Sequence, residues 1–134
     1  MIEKKLIDYL STKKEIQAAY LYGSMAKGDV WNESDIDIAI LTSPLKTRKE
    51  SFHLRLTYIK ELQDLLAKEV DVVLLRKCGE LLSEEIIRRG KLILEADKNA
   101  HREFLAHRII QCVDFKFLEK KAQKGMLQAI KEGK

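Results

Sequence analysis

The sequence predicts an α+β fold, a small mixed β-sheet flanked by helices. Three observations carry that reading. Four short runs rich in β-branched, aromatic and other apolar residues lie at 15–22, 35–42, 70–75 and 91–95. Stretches with apolar residues at helical spacing lie around them, at 2–12, 47–68, 80–89 and 98–122. The stretch between the second and third strands is long enough for a crossover helix, which returns the chain and lays one strand beside the other.

Taken in order, Ile2, Glu3, Lys4, Lys5 and Leu6 open an amphipathic helix and not a signal peptide. The first strand is Glu15 to Tyr22, and Gly23-Ser24 follows it directly. Ser24 is placed to cap a short helix at 24–28, which the turn Gly28-Asp29 ends. A loop then carries Trp31, Asn32 and Glu33. In the second strand Ile36, Ile38 and Ile40 face one side, while Asp35, Asp37 and Ala39 face the other. Ser43-Pro44, with the only proline, marks a break before the long helix at 47–68. Val70-Asp71-Val72-Val73-Leu74-Leu75 is the third strand. A helix at 80–89 stops at Gly90, and Lys91 to Glu95 form the fourth strand. In the last helix Phe104, Leu105, Ile109, Ile110, Val113, Phe117 and Leu118 make an apolar stripe, read as packing on the sheet or, in part, as meeting a partner such as a toxin or a second copy. Residues 1–134 are expected to form one domain with a catalytic core at about 15–75.

The chemistry concentrates between 23 and 37. A glycine after a strand lets a ligand approach the backbone closely. Free N–H groups at a helix start, with the Ser24 hydroxyl and the Lys27 ammonium beside them, suit phosphate oxygens. Asp35 and Asp37 then stand side by side on one face of a strand, and two like charges that close repel unless a cation lies between them. An all-oxygen donor set favours Mg²⁺ or Mn²⁺, commonly shared with substrate phosphates. The crossover would bring Asp71 beside them as a third carboxylate. An acid within such a β-prone run is costly if buried alone, so it points to a cation or a donor. Gly23, Ser24 and Lys27 are therefore the candidate phosphate-binding residues, and Asp35, Asp37 and Asp71 the candidate catalytic and metal-binding ones.

Composition narrows the function class. Hydrophobic residues make up 46% and charged residues 34% of the 134, ordinary for a globular protein. Twenty-five Lys and Arg against 21 Asp and Glu leave a net charge of +4, too mild to imply direct nucleic-acid binding. No apolar run is long enough to span a membrane, and the chain reads as cytoplasmic. Cys78 and Cys112 match no metal spacing and are expected to be reduced. His53, His101 and His107 are read as surface or packing residues, and Tyr20 and Tyr22 as strand packing.

The pattern Gly23-Ser24, ten residues, then Asp35-x-Asp37 resembles the minimal nucleotidyltransferases of the DNA polymerase beta-like superfamily, and Asp71 looks like that family's third metal carboxylate. The size of the chain and its spacer are most similar to the antitoxin partners of HEPN-domain ribonuclease toxins. The resemblance implies a palm-like nucleotidyltransferase fold. It also implies two Mg²⁺ ions, ATP as substrate, and transfer of AMP to a tyrosine of a HEPN toxin. Asp71 would serve as general base. Two other readings stay open: a small-molecule acceptor of the aminoglycoside type, and an antitoxin that acts by occlusion alone. A homo-oligomer is compatible with all three.

Overall fold

The computed structural model describes residues 2–23 and 36–108. The expected short helix at 24–28, the loop with Trp31, and the last helix beyond 108 lie outside the described residues. The elements are α1 (Ile2–Ser11), β1 (Ile16–Tyr22), β2 (Ile36–Thr42), α2 (Arg48–Leu66), β3 (Val70–Leu74), α3 (Glu80–Arg89) and β4 (Lys91–Glu95). A further helix, α4, is described from 98 to 108. The sheet order is β3-β2-β1-β4. β1 pairs antiparallel with both β2 and β4, whereas β2 and β3 run parallel. The parallel pair follows from the α2 crossover, and the sheet is mixed as expected.

The long helix is shorter at both ends than the periodicity predicts, for local reasons. Thr47 adopts extended dihedrals and caps the helix, its hydroxyl accepting from the Glu50 amide. At the other end Ala67 turns left-handed (φ 54°) and its amide closes onto the Gln63 carbonyl. Gly90 ends α3 because nothing larger fits there: a Cβ would lie 2.5 Å from the Ile86 carbonyl oxygen.

The alternation read in β2 sorts two cores onto the two faces of the sheet. Ile36, Ile38 and Ile40 join Leu6 and Leu10 of α1 and Tyr58, Leu62 and Leu66 of α2. On the opposite face Ala39 and Leu41 pack with Ala18, Tyr20, Leu75, Ile86 of α3 and Phe104 of α4. Leu62 is fully buried. Leu62→Ala is expected to cost about 3 kcal/mol and lower the melting temperature by roughly 10 °C. Thermal unfolding followed by circular dichroism checks this, and a loss under about 1 kcal/mol would contradict the packing.

α4 is tied down by a buried polar chain. Tyr20 Oη lies 2.6 Å from His101 Nε2, and His101 Nδ1 lies 2.5 Å from Glu95 Oε2. With Glu95 ionised, Nδ1 donates to it, and the Tyr20 hydroxyl satisfies Nε2. His101 is thus a packing histidine, while His53 and His107 are exposed. Burial, with Glu95 nearby, pushes the Tyr20 hydroxyl up to about 12. The hydrogen bond from His101 holds the Glu95 carboxyl below its ordinary value. A carboxyl depressed in the folded state stabilises above its unfolded pKa and loses that contribution as pH falls through the folded value. Glu95→Gln should therefore melt below wild type at neutral pH, and the deficit should vanish in acid. An equal deficit at both pH values would contradict this linkage. Among the described residues, no helix is long and apolar enough to cross a membrane.

Candidate active site

Strand pairing brings two of the expected carboxylates together. Asp37 of β2 is the direct register partner of Asp71 of the parallel strand β3, so both side chains leave the sheet on the same face. Tyr22 of β1 is the partner of Asp37 on its other side. Tyr22, Asp37 and Asp71 therefore form one row across three strands. They continue the face that carries Tyr20, Ala39 and Val73, at its Asp37 end. Ser24, Lys27 and Asp35 lie outside the described residues. Among the described residues no group of three or more His, Cys, Asp or Glu side chains clusters as metal ligands.

Gly23, immediately after β1, has φ +71°, a left-handed conformation that side chains disfavour. A Cβ built there would stand 2.6 Å from Asp37 Oδ2. The glycine is thus required twice, by its backbone conformation and by the carboxylate that fills the space a side chain would take. This close approach is the geometric content of a Gly followed fourteen positions later by an Asp on the neighbouring antiparallel strand.

Asp71 meets a donor, as an acid in a β-prone run should. Arg55 of α2 reaches round the open edge of β3, its Nη2 donating to Asp71 Oδ1 at 3.0 Å and its Nε to the Val72 carbonyl at 2.6 Å. About half of the Asp71 side chain is exposed (52%), so this ion pair is worth little as stability. Its effect is orientation: one carboxylate oxygen is held while the other is left to the face. The Tyr22 hydroxyl is raised above its ordinary value, first by burial and then by Asp37 and Asp71, and so stays protonated beside them.

The donor set fits Mg²⁺ or Mn²⁺. Asp37 and Asp71 present oxygen side by side, at a spacing fixed by two adjacent strands, and Arg55 pairs with Asp71 from a partly exposed side chain.

Sequence reading passed over Tyr22 as packing and did not single out Arg55. For Arg55 a clue was available: Ser51, Tyr58, Leu62 and Leu66 form the buried stripe of α2, and Arg55 sits on that stripe at i+4 from Ser51. A cation in a core-facing row needs a polar partner.

Beside this row, along the β3 edge, runs a cleft of about 440 Å³ lined by Arg48, Ser51, Phe52 and Arg55 of α2 and by Val73, Leu74, Lys77 and Cys78. Among the described residues its charged lining is wholly positive.

The Shewanella oneidensis protein adenylyltransferase MntA is 31% identical over 90 residues, 66% of this chain and 62% of that protein, so the chain matches less than two thirds of its relative's length. A solved toxin–antitoxin structure with AMP-PNP is 26% identical, with a TM-score of 0.71, covering 96% of this chain and 100% of that one. A complex of tri-AMPylated Shewanella oneidensis HEPN toxin with MNT antitoxin shares the fold, with a TM-score of 0.68 at 22% identity over 94% of this chain and 96% of that one. The model of the polymerase beta nucleotidyltransferase family matches residues 4–99, which span the sheet, the Gly23 turn and both described carboxylates. The chain belongs to that family.

Proposed function

We propose that the chain is an Mg²⁺-dependent nucleotidyltransferase that moves AMP from ATP to a tyrosine of a HEPN ribonuclease toxin, and so works as the antitoxin. The observation that carries this reading is the pairing of Asp37 with Asp71 beside Gly23, whose missing Cβ leaves room for the Asp37 carboxylate, in a member of a nucleotidyltransferase family. The protein acceptor draws support from the similar proteins, one a protein adenylyltransferase and others toxin–antitoxin complexes. The positive lining of the β3 cleft, with Arg48, Arg55 and Lys77 and no carboxylate, speaks against a polycationic aminoglycoside as acceptor.

In this reading Asp35, Asp37 and Asp71 hold Mg²⁺, and Gly23, Ser24 and Lys27 hold the phosphates of ATP. Bound Mg²⁺ supplies neutralisation of the triphosphate charge and a lowered pKa for the attacking hydroxyl. The protein supplies position. Adjacent strands fix Asp37 and Asp71, so the reacting groups meet at a set distance rather than by diffusion. Asp71 takes the proton of the tyrosine hydroxyl as general base. The hydroxyl oxygen bonds to the α-phosphorus, the bond from that phosphorus to the bridging oxygen breaks, and pyrophosphate leaves. Gly23, without a Cβ, leaves room for the Asp37 carboxylate against the end of β1. Arg55 orients the Asp71 carboxylate before substrate arrives. No covalent enzyme intermediate is needed.

The test is intact-mass spectrometry of the product of the adjacent gene, the proposed HEPN acceptor, after incubation with the chain, ATP and Mg²⁺. The expected product carries AMP on a tyrosine. A stable complex with unmodified toxin would overturn transfer in favour of occlusion.

A further inference from the structure

The cleft along β3 is not used by the chemistry above, yet one of its walls is Arg55, the residue that holds Asp71 at 3.0 Å. Whatever sits in the cleft therefore lies one side chain away from the third carboxylate. Gly23, where the proposed phosphate-binding turn begins, lies on the β1 side of that carboxylate row, since it follows β1 and the sheet order places β2 between β1 and β3. Nucleotide and cleft thus flank the carboxylates from opposite sides, which is where a donor and an acceptor belong.

The lining states what fits. Arg48 and Lys77 are exposed cations, and among the described residues no Asp or Glu lines the cleft with them. Phe52 is 60% exposed, a large apolar side chain with no cover. Leu74 and Cys78 make an apolar floor, and burial pushes the Cys78 thiol up, so that floor stays uncharged. The edge of β3 does not invite an added strand, because Arg55 already covers the Val72 carbonyl. The occupant docks through side chains.

We propose that this cleft is the acceptor-docking site, and that it receives a segment of the acceptor protein carrying carboxylates beside an apolar side chain. Arg48 and Lys77 pair with the carboxylates, and Phe52 packs on the apolar residue. Charge complementarity favours an acidic segment, and the apolar floor with exposed Phe52 favours a protein over a nucleic-acid strand. The proposal rests on the reading of the chain as a protein adenylyltransferase, and its test separates the two.

The double variant Arg48→Glu/Lys77→Glu of the full chain is compared with wild type and with Arg48→Lys/Lys77→Arg. The probe is the product of the adjacent gene, the proposed HEPN acceptor. Its affinity is measured by calorimetry without nucleotide, and its KM and that of ATP are measured in the transfer assay. Charge reversal should weaken binding and raise the acceptor KM by about tenfold or more. The ATP KM and the melting temperature should hold, and the charge-conserving variant should match wild type. Unchanged acceptor affinity, or an ATP KM that rises in step, would overturn the proposal. So would loss of single-stranded RNA binding in the variant with HEPN binding intact. If wild type binds the HEPN protein but transfers no AMP, the adenylyltransferase reading fails, and the calorimetric comparison still decides the cleft.

Discussion

Asp37→Asn is expected to lower AMP transfer by roughly a thousandfold while the protein keeps its fold. The substitution is nearly isosteric, and the residues that anchor β2, Ile36 and Ile38, point to the opposite face and are fully buried. What changes is charge. The amide keeps one oxygen but loses the anion that stands in register with Asp71. Removing one of two like charges on neighbouring strands relieves repulsion, so the melting temperature should stay the same or rise slightly. Initial rates at saturating ATP and Mg²⁺, beside thermal melts of both proteins, check both halves. A rate within about tenfold of wild type would remove Asp37 from the proposed site.

Gly23→Ala should be nearly as damaging, for a steric reason. At φ +71° any side chain is strained by about 1–2 kcal/mol. The new Cβ also has to displace Asp37 Oδ2, which lies 2.6 Å from its position. Moving a reacting group by about 1 Å costs on the order of a hundredfold in rate, so transfer should fall by that factor or more. Gly79→Ala is the control. Gly79 also has positive φ (+90°), but a Cβ there meets nothing within 4 Å. It should therefore lose stability by about 1–3 kcal/mol while transfer continues. Equal rate losses in the two alanine variants would mean that general destabilisation, and not the contact with Asp37, explains the effect.

The parts of the fold that were legible are those written in short-range patterns. The period-two alternation of β2 placed Ile36, Ile38 and Ile40 in one core and Asp37 on the other face. The length between Asp37 and Asp71 permitted a crossover, and the crossover made β2 and β3 neighbours. Gly90 marked the end of α3 because the close packing there admits no Cβ. The same logic fails where a contact joins distant positions. β4 has no clean alternation, and its place at the β1 edge comes from packing that no local rule specifies. The Tyr20–His101–Glu95 chain spans 81 positions between Tyr20 and His101, so each member looks ordinary in its own neighbourhood. Arg55 was recognisable only as a cation on a buried stripe, and its partner Asp71 lies on a different element.

We propose that Gly23 and the paired Asp37 and Asp71 belong to a nucleotide site, and that the α-phosphoryl group is what moves. The most direct measurement uses two samples of ATP, one labelled at the α-phosphate and one at the γ-phosphate, each incubated with Mg²⁺, the chain and the product of the adjacent gene, the proposed HEPN protein. Label from the α-position retained on the HEPN protein, with none from the γ-position, is the predicted result. Label retained from the γ-position would make the chain a phosphoryl-transfer enzyme and contradict the account.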